Sequence, residues 1–112
     1  MSTSYIPPDN PRGIWGRLVL SSGESGTITF PKGWGGMVVL TGIAANGGSM
    51  GLYLVATTSA ANWDARYKAV LVPASVTVSV SGKVMTITNG TSYTLVANIC
   101  TFYPADTRLN GD

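Results

Sequence analysis

Histidine is missing from the 112 residues, cysteine occurs once as Cys100, and charged side chains make up only 11% of the chain. Each shortage excludes something. Without histidine the commonest general base, metal ligand and pH switch are gone. One cysteine excludes an intrachain disulfide framework and a cysteine-based zinc site. Seven Lys and Arg against five Asp and Glu leave a net charge of +2. That field is too weak for a nucleic-acid arm or a membrane-binding patch, so neither nucleic acid nor membrane is expected as a partner. Apolar stretches are short and broken by glycine, well below the ~20 residues a spanning helix needs. Met1–Tyr5 has neither a basic n-region nor an apolar h-region, so no targeting segment is expected. The carboxylates Asp9, Glu24, Asp64, Asp106 and Asp112 are scattered. A glycosidase needs two that face each other, and a serine triad needs histidine. The expectation is a non-enzyme with no catalytic residue, metal or cofactor.

What remains is a chain built for β-structure. Apolar residues reach 45%, enough for one real core. Fourteen glycines and six prolines punctuate β-branched runs at short intervals, the pattern of a sandwich or barrel. Strands are expected near 14–21, 26–30, 37–44, 50–58, 66–72, 75–80, 83–88 and 92–102, with room for one helical turn at Ala60–Asp64. About eight strands in one small domain predict an all-β, antiparallel, jelly-roll-like sandwich. Ile6-Pro7-Pro8-Asp9-Asn10-Pro11 reads as a semi-rigid connector. The expected division is therefore an extended Pro-rich segment at 1–13, a sandwich head at 14–103 and a tail at 104–112. Met1 is either the natural start or replaces a longer upstream chain.

The C-terminal third permits a register argument. Val76, Val78 and Val80 alternate with Thr77 and Ser79. A two-residue Ser81-Gly82 turn sets Val78 opposite Met85, Val76 opposite Ile87 and Thr77 opposite Thr86. A three-residue Asn89-Gly90-Thr91 loop then sets Ile87 opposite Tyr93 and Met85 opposite Leu95, completing a three-stranded meander. By contrast, Met37–Leu40 and Leu52–Val55 are apolar on both faces. So small a chain cannot cover both, and the low charge suggests contacted surface, so a homo-oligomer is expected.

The aromatic residues carry the binding signal. Trp34 is surrounded by glycine in Pro31-Lys32-Gly33-Trp34-Gly35-Gly36, which leaves its ring little cover in sequence. Trp63, Asp64, Arg66 and Tyr67 put an indole, a carboxylate, a guanidinium and a phenol close together. Flat rings stack on sugars while such polar groups satisfy hydroxyls, so Trp34, Trp63, Asp64, Arg66 and Tyr67 form the candidate ligand-binding set. The competing role for each tryptophan is a plug at the end of the sandwich, which is the expectation for Trp15. Cys100 reads as a small buried hydrophobe. Asn89-Gly90-Thr91 matches a glycosylation sequon but reads better as a turn that uses Asn-Gly for positive φ.

With its Pro-rich start, its Gly/Ser/Thr/Val-rich body and the Val76–Tyr93 run of alternating Val, Thr and Ser, the chain resembles the C-terminal receptor-binding knobs of bacteriophage tail fibres from about Arg12 to Tyr103. The resemblance implies a trimeric β-sandwich head that binds a bacterial surface glycan or protein and sets host range. Its partners would be that receptor, its own copies, and an upstream fibre shaft or other virion proteins. It would reside in the virion after synthesis in the host cytoplasm. The alternatives are a structural virion protein of the capsid-decoration or baseplate kind, which binds only other virion proteins, and a monomeric carbohydrate-binding module.

Overall fold

The computed structural model describes residues 2–6, 15–44 and 47–102. Nine strands run through them: β1 Ser2–Tyr5, β2 Trp15–Leu20, β3 Ser25–Thr29, β4 Gly35–Ala44, β5 Gly47–Thr57, β6 Ala65–Leu71, β7 Val76–Ser81, β8 Val84–Asn89 and β9 Leu95–Thr101. They form a four-stranded sheet in the order β1-β3-β8-β7 and a five-stranded sheet in the order β2-β9-β4-β5-β6. Eight of the strands overlap the expected segments. The ninth, β1, falls within the segment read as an extended lead-in and pairs parallel with β3. Residues 7–13 of that segment, the whole tail at 104–112, and with them Asp9, Asp106 and Asp112, lie outside the described residues. No helical turn forms at Ala60–Asp64, where the backbone bends without regular structure.

The alternation of side chains explains the two layers. Leu18, Leu20, Val38, Leu40, Tyr53, Val55, Leu95, Ala97 and Ile99 point inward from the larger sheet. Ile28, Met85 and Ile87 meet them from the smaller one, and all belong to one buried cluster. The outer face of the smaller sheet is almost wholly hydroxylic. Ser25 pairs with Thr88 and Thr88 with Thr77; Thr27 pairs with Thr86 and Thr86 with Ser79. Successive strands alternate between sheets from β1 to β4. The β4–β5 and β5–β6 connections then stay in one sheet and β7–β8 in the other, while β6–β7 and β8–β9 cross between sheets.

The β7–β8 hairpin forms two residues out of the expected register. Ser81 pairs with Val84, Val80 with Met85 and Val78 with Ile87. A shift of two preserves the faces, so the valines still point inward. The reason is the turn itself: its central residues are Gly82 and Lys83, and Gly82 has φ 59°. Glycine at the first central position with positive φ is what a type II′ turn demands.

The expected meander does not form, because β9 crosses to the other sheet and lies between β2 and β4. Asn89 makes the corner. Its side chain is fully buried, and Nδ2 donates to the carbonyls of Leu20, Ser21 and Tyr93 at 3.0, 3.2 and 2.8 Å. Its Oδ1 accepts from the Thr91 backbone N–H at 3.0 Å and from the Thr91 hydroxyl. The Asn-Gly pair is therefore used for hydrogen bonding and close approach, since neither residue has positive φ. A Cβ on Gly90 would stand 2.5 Å from the Ser75 carbonyl oxygen. Ser75 itself is the one non-glycine with positive φ among the described residues, at 63°.

Candidate functional site

The structure separates the five residues grouped by sequence. Trp34 is only 3% exposed. Its ring packs on Phe30 at a centroid distance of 4.8 Å, and its indole N–H has no hydrogen-bond partner among the described residues. Flanking glycines did not strip the ring of cover; they let it fold back over the strand, where it would lie 2.7 Å from a Cβ added at Gly36. Trp34 is thus a core residue and offers no open stacking face.

Trp63 is half-buried and held at both its edge and its face. Its Nε1 donates to the Phe30 carbonyl at 2.9 Å, and the Lys83 ammonium sits 4.1 Å from the ring centroid. That geometry is a cation–π contact. Asp64 anchors the same loop through its backbone: its carbonyl accepts from Thr58 N–H at 3.4 Å, and Ala65 N–H beside it donates to Gly82 at 2.8 Å. The Asp64 side chain is exposed.

Arg66 and Tyr67 begin β6, and alternation sends them different ways. Tyr67 leans toward Tyr53, with ring centroids 5.9 Å apart. Burial first, and the Tyr67 phenol second, pushes the Tyr53 hydroxyl above its ordinary pKa. Arg66 pairs with Ala56 and Lys68 with Leu54, so both cations stand on the outer face of the five-stranded sheet.

That outer face divides into two halves. Toward the β4–β5 turn it carries Val19, Met50 and Leu71, exposed by 51, 68 and 47%, with Ile43 beyond them at 86%. These are large apolar groups in water. At the other end lies a groove of about 480 Å³ bordered by Gly35, Leu54, Ala56, Arg66, Tyr67, Lys68 and Phe102. It exists because Gly35 and Ala56 are small and paired across β4 and β5, while Phe102 is tied alongside by its N–H to the Gly35 carbonyl at 2.9 Å. A Cβ on Gly35 would meet nothing within 4 Å. Of the five predicted residues, then, Arg66 stands in this groove, Tyr67 borders it but turns its ring to the other side toward Tyr53, Trp63 and Asp64 form a neighbouring loop, and Trp34 belongs to the core.

Gly35, Leu54, Ala56, Lys68 and Phe102 went unnoticed in the sequence. The available signal was Arg66 and Lys68 at i and i+2 on a strand, which puts two like charges on one face, next to alternating strands whose outward positions shrink to Gly and Ala. Chemically, the groove offers an apolar floor and two cations, and no carboxylate lines it. Comparison of the chain with protein-family models, with curated proteins and with solved structures gave no match.

Proposed function

We propose that this chain is a non-enzymatic host-recognition domain of the phage tail-fibre kind, which assembles as a homotrimer and holds a bacterial surface receptor. The observation that carries the reading is the division of the outer sheet face. Exposed Val19, Ile43, Met50 and Leu71 form the sort of apolar surface that soluble chains hide against a partner. The opposite, hydroxylic sheet needs no cover. Assembly through the apolar half leaves the groove half and the Trp63–Asp64 loop open. Three copies of a weak site then act together, and avidity can raise binding by orders of magnitude. Arg66, with Asp64 at the adjoining loop, remains a receptor contact, with a saccharide as the receptor's recognised part, while Tyr67, turned toward Tyr53, supports β6 from the other side. Trp63 holds the loop in place.

Light scattering tests the assembly. The expected mass is about 35 kDa, three times the 11.6 kDa chain, and Val19→Asp with Met50→Asp should reduce it to that of one chain. A concentration-independent monomer mass for the parent protein would refute the trimer and favour a carbohydrate-binding module. Adsorption of the labelled domain to bacterial cells tests recognition. An oligomer that binds no cell surface and only other virion proteins would instead be a decoration or baseplate protein.

A further inference from the structure

We infer that the groove between Phe102 and β6 binds a phosphorylated amphiphile, with its alkyl chain over Gly35, Ala56 and Leu54 and its phosphate between Arg66 and Lys68. This rests on the host-recognition reading and narrows it: Arg66 takes a phosphate rather than sugar hydroxyls, which leaves a saccharide portion of the receptor to the Asp64 loop.

Three features of the groove lead there. Its floor is apolar, built from the side chains of Leu54, Ala56 and Phe102, so it gains by covering hydrocarbon rather than a hydroxylated ring. Its volume of about 480 Å³ lies in the range of small-ligand sites. Its only formal charges are positive. Arg66 and Lys68 lie two residues apart on one strand, roughly 6.6 Å along the backbone, and both side chains are exposed. Long, flexible cationic side chains at that spacing converge on one anion, and phosphate oxygens accept from a guanidinium and an ammonium together. Lys83 is already occupied by Trp63, so the pair on β6 stands apart from it. A second copy of this chain fits the groove poorly. The groove half of the face carries Arg66 and Lys68 and no carboxylate, so two grooves set against each other would bring cations to cations. The opening at Gly35, where a side chain would meet no atom, gives an alkyl chain a path along the sheet.

The test uses dodecyl phosphate below its micellar concentration, titrated calorimetrically into the full chain, with dodecyl maltoside and inorganic phosphate as controls. Saturable binding of dodecyl phosphate is expected, at least ten-fold tighter than either control and weakened by added salt. Arg66→Ala with Lys68→Ala should weaken it ten-fold or more. Gly35→Phe, which fills open space without touching the core, should abolish it at an unchanged melting temperature. Equal affinity for dodecyl maltoside would overturn the role of the phosphate. Undiminished binding by Gly35→Phe would overturn the location. No binding of dodecyl phosphate by a domain that still adsorbs to bacterial cells would overturn this inference and leave host recognition standing. Binding of the probe without any cell adsorption would do the reverse.

Discussion

Replacing Asn89 by alanine should be among the most damaging single changes in the molecule, although the residue does not line the groove beside Arg66 and Lys68. The amide is fully buried and serves the carbonyls of Leu20, Ser21 and Tyr93 and the N–H and hydroxyl of Thr91. A net hydrogen bond contributes about 1 kcal/mol, and a buried polar group left without a partner costs about 1–3 kcal/mol. Truncation strands at least the Leu20 carbonyl and the Thr91 N–H in a place that water reaches poorly. The expected loss is therefore about 3–5 kcal/mol, a large share of the roughly 5–15 kcal/mol by which a domain is stable. Urea unfolding followed by tryptophan fluorescence measures it. With a slope of about 1.5 kcal/mol per molar urea, the midpoint should fall by about 2–3 M at unchanged slope. Asn89→Asp should be at least as harmful at neutral pH, because a carboxylate would face three carbonyl oxygens. A loss under about 1 kcal/mol for Asn89→Ala would refute the view that this amide holds the corner between the sheets.

Trp34→Ala should cost about 3–5 kcal/mol, the range for emptying a buried aromatic site, while any refolded fraction keeps its affinity for cells; loss of cell binding at unchanged stability would return Trp34 to the binding site. Trp63→Phe should cost only about 1–2 kcal/mol, because it removes one hydrogen bond and weakens the Lys83 contact but retains a ring; differential scanning calorimetry separates the two variants. Ser75→Gly should stabilise by about 1 kcal/mol, since it relieves a left-handed backbone that costs a non-glycine residue about that much, and its urea midpoint should rise. Burial pushes the Cys100 thiol above its ordinary pKa, so the folded chain keeps a proton that the unfolded chain releases; stability should decline as pH rises past about 8.5, and Cys100→Ala should flatten part of that decline in melts between pH 7.5 and 10.

The β-architecture was legible because its signals are local. Alternation at period two fixes which side chains share a face, and glycine and proline mark where strands stop, so eight strand segments could be placed from the sequence and the inward valines of β7 kept their face despite a shifted register. Cys100 is buried as expected, although alternation after inward Ile99 puts it on the opposite side of β9 from the main core cluster. The register itself was not legible, because Ser81-Gly82 and Gly82-Lys83 both look like turns, and only glycine's place as the first central residue separates them. The path after Asn89 was also hidden. Val84–Asn89 and Leu95–Thr101 alternate as a hairpin would, and the choice to cross sheets depends on an amide meeting carbonyls of Leu20 and Ser21, far away in sequence. Trp34 shows the same limit, since glycine neighbours can either expose a ring or let it fold under the strand, and Phe30 decided the outcome. Sequence determined the strands and their faces because those follow from backbone geometry. Tertiary structure alone decided the corner at Asn89, the burial of Trp34 and the groove beside Arg66 and Lys68, because each depends on contacts between segments that only folding brings together.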